Sequence, residues 1–449
     1  MNAKELFLKT NPRRLFFIAA LPGAVSMLAS ALYGFFDGIF VGHLIGDTAF
    51  AAINLAFPFV ILNYALSDLI AVGSAVPISI ALGKKEDHEA NVIFTCAVLM
   101  ILFTGALMGV FLYTASPLLI GLLGAEGELA ALAVSYVRVY AIFSPLTTMT
   151  FAVDNYLRIS GKIRFSMVLN IALSLSTVLL EFLLLFVGKL GIRGAALASC
   201  LSMVAMVAVA FVPILSKRLQ LKFTRPKFTP ALVKQIVFCG SPAFLANISG
   251  RITSIAMNAA LLASGGAEAV AIWGILMYVG ETIQPIVYGI CDSLSPAIGY
   301  NWGAGLYHRV KAITRYTYSA SAIVSFSAAL LMFFAPGLLT SLFTKNTDPV
   351  FLAEATLALR IYSFSRLTQW FAFATQNYMT AVDKPLFATV ISLASSLIFP
   401  ISFILLLSPL GLSGLWLNPT LTAALTAILA FILLKHFQKT LPNEKPSVE

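Results

Sequence analysis

Long apolar runs recur from one end of this chain to the other, at about 15–45, 54–83, 92–115, 130–158, 163–187, 194–215, 233–264, 272–303, 312–335, 352–380, 386–407 and 411–435. Roughly 20 apolar residues cross the hydrocarbon of a bilayer as a helix, whereas a membrane strand needs only about 10. Backbone polar groups in lipid must be satisfied internally, which leaves helices or closed barrels. Runs of this length therefore predict an all-α polytopic membrane protein with twelve transmembrane helices. Composition agrees: 59% of residues are hydrophobic and 11% charged, against about 25% charged in soluble chains. The first run contains Pro22 and no small-residue cleavage site closes it, so it reads as a span rather than a signal peptide.

A net charge of +10 raises the question of a nucleic-acid partner, and the placement of the charge answers it. With the N-terminus inside, the cytoplasmic segments and adjoining span ends hold most of the 29 Lys and Arg. These include Lys4, Lys9, Arg13, Arg14, Lys84, Lys85, Lys162, Arg164, the Lys217–Lys234 cluster, Arg309, Lys311, Arg315, Lys384 and Lys435, while the opposite loops hold Lys189, Arg193 and Lys345. This is the positive-inside pattern. It predicts a multi-pass protein of the cell (cytoplasmic) membrane with both termini in the cytoplasm and no nucleic-acid partner. Cys96, Cys200, Cys239 and Cys291 all lie inside spans without CxxC spacing and read as packing residues. His43, His88, His308 and His436 are scattered at span ends and make no ligand cluster.

The second half repeats the first at an offset close to 220 residues. Pro22 and Pro242 each stand 24 residues before a glycine, Gly46 and Gly266. LGKKEDHEANVI (82–93) aligns with WGAGLYHRVKAI (302–313), VRVY (137–140) with LRIY (359–362), and DNYLRISGKIRF (154–165) with QNYMTAVDKPLF (376–387). GIRGAALA (191–198) falls over GLSGLWLN (411–418). Six spans per half is an even number, so the halves share one orientation and the repeat is parallel, with its axis along the membrane normal. The expected organisation is an N-terminal six-helix bundle over 1–215, a cytoplasmic linker over 216–232, a C-terminal six-helix bundle over 233–437 and a polar tail over 438–449.

Ionisable residues inside spans are costly, on the order of 3 kcal/mol on insertion scales, and mark functional sites by default. The chief one is Asp37. Ser26, Ser30, Gly34 and Gly38 recur every four residues beside it, a stripe suited to close helix contact, with Tyr33, Phe36 and Phe40 on the adjoining face. The second span carries Tyr64 and Asp68; its counterpart, the eighth, carries Glu281, Gln284, Tyr288, Asp292 and Ser295 on one helical face. Matching polar stripes on corresponding helices predict a substrate cavity. Asp154 and Asn155 close the fourth span. Asn170, Ser174 and Glu181 share a face of the fifth, with Ser199 and Ser202 on the sixth. Carboxylate, amide and hydroxyl oxygens suit a small cation or a proton relay, so Asp37, Asn170, Ser174, Glu181 and Ser199 form the candidate ion-coupling set. The repeat puts Met257 where the first half has Asp37. The seventh span instead carries Arg251, expected to pair with Glu281 or Asp292. Trp273, Met277, Tyr278, Tyr300, Trp370, Phe371 and Phe373 supply aromatic and flexible surface, and Gln376 and Asn377 add amides on the tenth span.

The chain resembles the multidrug and toxic compound extrusion (MATE) family over essentially its whole length. The likeness rests on Pro22 with Asp37 and Gly42 in the first span, AFAAINLAFP (49–58), NYLRISGK (155–162), GIRGAALAS (191–199) and PAIGYNWGAGLYHRV (296–310). It implies a secondary antiporter that exports amphipathic, often cationic, compounds against inward movement of sodium or protons. Asp37 falls on the family's first-span acid, and Asn170 and Ser199 fall on polar positions of its fifth and sixth spans. One departure stands out: Ser174 occupies the place where many relatives carry an acid, four residues after the fifth-span Asn. Glu181, two turns on, is the residue that could substitute.

The expected function is thus H+- or Na+-coupled export of small amphipathic, cationic drugs or metabolites by alternating access. The expected cavity is lined by Tyr33, Phe36, Tyr64, Asp68, Asp154, Asn155, Met257, Trp273, Met277, Glu281, Gln284, Tyr288, Asp292, Gln376 and Asn377. No cofactor and no metal beyond a transported Na+ is expected, and the chain is expected to act as a monomer. The alternative is a flippase for lipids or lipid-linked sugars on the same architecture. The acids Asp37, Asp68, Asp154, Glu181, Glu281 and Asp292 within the spans lean toward cations over a pyrophosphate. An enzyme is disfavoured, because HExxH, GxSxG and a Walker lysine loop are all missing from the sequence.

Overall fold

Glycine and proline divide an otherwise continuous helical chain. The computed structural model describes residues 3–343 and 348–440, apart from the side chains of 32–45 and 47. Helices α1 (Pro12–Ile45), α2 (Asp47–Gly83), α3 (Asp87–Leu122), α4 (Gly127–Ile159), α5 (Ile163–Val187) and α6 (Gly191–Leu215) make up the first half. The helical run Pro230–Gly303 breaks at Gly266, whose φ of 66° and ψ of −159° lie outside helical space, and so divides into α7 and α8. Glycine takes such a positive φ without the Cβ penalty other residues incur. After α9 (Tyr307–Phe334) and a short helix Pro336–Phe343 comes α10 (Pro349–Ala381). Asp348 caps α10 by accepting from the N–H groups of Val350 and Phe351, and Pro349 starts the helix with its φ already set. The run Pro385–Lys439 turns at Gly411 (φ 67°), separating α11 from α12.

Among the described residues, nine helical runs are long and apolar enough to span a membrane, two of them the runs divided at Gly266 and Gly411. The more polar α10 completes twelve membrane helices, and no strand occurs among the described residues. The fold is all-α and polytopic, as the apolar periodicity required. Large side chains such as Phe103, Leu122 and Phe334 stand exposed on the helix exteriors, where a bilayer rather than water is their natural solvent.

Two compact units result: Met1–Thr10 with Val25–Gly240, and Asn11–Ala24 with Ser241–Glu449. Each unit takes in the opening of the other half's first helix, and the same contact does it twice. In the second unit, a Cβ on Gly23 would collide with the Ser293 hydroxyl and the Gly289 carbonyl of α8. In the first, a Cβ on Gly240 would collide with the Leu69 carbonyl of α2, and one on Gly73 with the Ile236 carbonyl. Helices in lipid associate by close van der Waals packing at small residues, and these positions let two backbones touch. They correspond under the internal repeat, since Leu69 and Gly73 overlie Gly289 and Ser293.

Segment 216–229 is held along one face of α3. Gln220 donates to Asp87 (2.9 Å), the Lys222 amide to Asn91 Oδ1 (2.7 Å) and the Thr224 amide to Thr95 Oγ1 (3.0 Å). The three acceptors recur every four residues, so a single helical face supplies them. Leu219 and Leu221 are buried, Phe223 packs 5.0 Å from Phe94, and Lys4 pairs with Asp87 at 2.9 Å.

Candidate functional site

The second unit encloses a cavity of about 390 Å³ among α7, α8, α10, α11 and α12. That is the size class of small-molecule pockets, roughly 300–1,000 Å³. Its wall contains Met257, Trp273, Met277, Glu281, Gln284, Tyr288 and Gln376, seven of the residues expected to line a substrate cavity. Glu281, Gln284 and Tyr288 fall together because α8 repeats every 3.6 residues. A π-helical segment in α11, Ala394–Ile398, brings Ser395 and Ser396 to the wall. The backbone carbonyl of Ser396 accepts from Thr253 of α7 at 2.6 Å. Such bulges free backbone groups and are common at functional sites.

The most consequential side chain in this cavity went unassigned at sequence level. Arg366 of α10 lines it while 96% buried, its relative exposure being 4%. Nη1 donates to Gln284 Oε1 at 3.0 Å, and Nη2 donates to the Tyr362 hydroxyl. The guanidinium also lies over the Tyr362 ring, 4.8 Å from its centroid. Gly280 makes room for this arrangement, since a Cβ there would stand 2.6 Å from the Tyr362 oxygen and 2.9 Å from Nη2. A usable signal existed: Arg366, Gln369, Phe373 and Gln376 follow i, i+3, i+7, i+10 spacing, and all four line the cavity.

Arg251 is exposed and makes no ion pair with Glu281 or Asp292. The expected pairing is therefore corrected. Asp292 instead accepts from Asn377 Nδ2 at 2.8 Å, and neither of these two residues lies in the cavity wall. Their amide–carboxylate bond ties α8 to α10 beside it.

In the first unit, Asp154 is the hub. Its Oδ2 pairs with Arg158 at 2.7 Å one turn on, and its Oδ1 accepts from the Ser166 hydroxyl and from Asn170 Nδ2, the latter at 2.7 Å. The Arg158 side chain is 3% exposed and that of Asp154 15%. Asn170 therefore faces Asp154, bridging α4 and α5. Ser174 turns its hydroxyl back to the Asn170 carbonyl (3.1 Å), and Glu181 is buried further along the same helix. Ser199 stands beside the Tyr140 phenol. Tyr64 donates to Met203 Sδ at 3.3 Å and packs on Tyr140 and Phe151, while Asn155 bonds the Phe151 carbonyl and Asp68 is half-buried. Asp37, Tyr33 and Phe36 lie outside the described residues. Among the described residues no three His, Cys, Asp or Glu side chains converge as a metal site. All four cysteines are free and buried.

A bundle of twelve membrane helices built from two repeats, with a drug-sized cavity of mixed aromatic and polar lining inside one unit, is the architecture of a membrane transporter. The family model MatE matches twice, over residues 22–183 and 242–406, beginning at the equivalent prolines Pro22 and Pro242. The chain belongs to the MatE family of transporters. It is 26% identical over 420 residues to the multidrug export protein MepA of Staphylococcus aureus, covering 92% of this chain and 91% of that one. With MepA of Staphylococcus haemolyticus it shares 25% over 433 residues, covering 96% and 94%. Among solved structures, an outward-facing multidrug resistance MATE family transporter of the MOP superfamily superposes with a TM-score of 0.91 at 20% identity, over 98% of both chains. A MOP superfamily transporter from Pyrococcus furiosus gives 0.90 at 21%, over 97% and 98%. At such identities the structural likeness speaks to the fold alone.

Proposed function

We propose that this protein is a multidrug exporter of the cytoplasmic membrane, driven by inward movement of H+ or Na+ and working by alternating access as a monomer with both termini inside. The observation that carries this reading is near full-length similarity to proteins named for multidrug export, joined to a drug-sized cavity with aromatic walls. Trp273, Tyr288 and Phe373 suit flat apolar substrates, and Met277 adapts its shape to several. Bundles 1–215 and 233–437 are the proposed moving parts. Asp37 is the proposed ion-loaded carboxylate, with Asn170, Ser174, Ser199 and Glu181 as its partners.

Asp154 belongs with that set, because it holds Asn170 directly. Its carboxylate bonds Asn170, one turn before Ser174, which adds a third acid to Asp37 and Glu181 in the proposed set. The test is efflux of a cationic dye from inverted vesicles while the proton and sodium gradients are collapsed separately. Efflux should stop with one of the two gradients and in Asp37→Asn. Full gradient-driven efflux by that variant would sink the proposal.

A further inference from the structure

Arg366 is a permanent cation facing the cavity, and among the described residues no carboxylate pairs with it. Guanidinium remains protonated at any physiological pH and offers five N–H donors in a planar fork that matches a carboxylate. The protein uses two of them, on the neutral oxygens of Gln284 and Tyr362, and Nε is buried without a partner. Among the described residues Arg366 forms no ion pair, and neither does Glu281, although both line the same cavity. Intramembrane charges are usually paired with each other or with backbone carbonyls, and an uncompensated buried charge is strongly destabilising. Here the positive charge is retained with a neutral amide, a phenol and a ring face in direct contact, and the Glu281 carboxylate elsewhere on the same wall. Gly280 keeps the space that its present geometry needs.

We infer that Arg366 is the anion receptor of this cavity and that the site takes aromatic compounds carrying a carboxylate. The aromatic walls hold the ring system and the guanidinium fork takes the carboxylate. Glu281, separate from Arg366 on the same wall, accepts an amine where the ligand also has one, so aromatic zwitterions fit as well as simple aromatic acids. The inference rests on the exporter reading only in treating the cavity as a ligand site, and it widens the expected amphipathic, often cationic substrates to a class that includes anionic groups.

The test is equilibrium binding to the purified full-length protein in detergent, without any gradient, so failure of ion coupling leaves its outcome readable. Dansylglycine, a fluorescent aromatic carboxylate, is compared with its methyl ester, which has the same ring and no charge. The acid should bind about tenfold more tightly than the ester, the usual scale for a charged hydrogen-bonded contact. Arg366→Gln should remove that preference and leave ester affinity within about twofold. Gln284→Glu keeps the arginine but neutralises it with a built-in carboxylate, and should remove the preference too, which protects the test if Arg366→Gln does not fold. Equal affinity of acid and ester in the unaltered protein overturns the inference, as does a preference that survives in either variant.

Discussion

Asp154→Ala should be among the most damaging single substitutions in the first unit, and the reasoning can be followed from its contacts. Removing the carboxylate takes the 2.7 Å ion pair from Arg158, whose side chain is 3% exposed. An uncompensated buried charge costs about 3–5 kcal/mol. The Ser166 hydroxyl also loses its acceptor, for about 1 kcal/mol, whereas Asn170 keeps its bond to the Ser166 carbonyl at 3.0 Å. Arg158→Met should cost less, because Asp154 retains both Ser166 and Asn170 as donors and is partly exposed. Replacing both residues, Asp154→Leu with Arg158→Met, removes the charge problem and leaves only the hydroxyl, about 1 kcal/mol. The double variant should therefore be more stable than Asp154→Ala by about 3–5 kcal/mol. The assay is thermal loss of the monomer peak in size-exclusion chromatography of detergent-purified protein, read as the rank order of the variants. If the double variant is as unstable as the two single effects added together, the ion pair is not what makes Asp154 matter and the argument fails.

Other expectations follow from single contacts. Gly240→Leu should strongly reduce the yield of folded protein, because its Cβ meets the Leu69 backbone carbonyl, which cannot swing away; Gly274→Ala, with open space at its Cβ, should be neutral or gain up to about 1 kcal/mol from helix propensity. Asn91→Ala should free the Lys222 amide and speed tryptic cleavage at Lys217, Arg218 and Lys222 severalfold while barely moving thermal stability; an unchanged cleavage rate would mean the segment is not held by α3. Trp416→Phe, which loses the 2.6 Å bond to Glu354, should cost about 1.5–3 kcal/mol as a hydrogen bond to a charged group, and Glu354→Gln should recover part of this in the double variant.

Much of the fold could be read from residue order because lipid leaves a helix few choices. Apolar length set the twelve spans, Lys and Arg placement set the expected topology, and the Pro22/Pro242 register exposed the repeat that the family match then followed. Helical faces were legible as well: Glu281, Gln284 and Tyr288 did meet one cavity, since their spacing fixes them on one side of α8 whatever α8 packs against.

Which face meets which neighbour was decided in three dimensions. Asn170 could have turned to several partners, and the approach of α4 to α5 gave it Asp154. Arg251 and Arg366 are equally conspicuous in the chain, yet one is exposed and the other is 96% buried against Gln284 and Tyr362. Helix rotation and depth made that difference. They depend on where backbones can touch, at Gly23 on Gly289 and Gly240 on Leu69, contacts between residues far apart in the chain. Periodicity fixes a side chain relative to its own helix axis, while its partner depends on how that axis crosses the next.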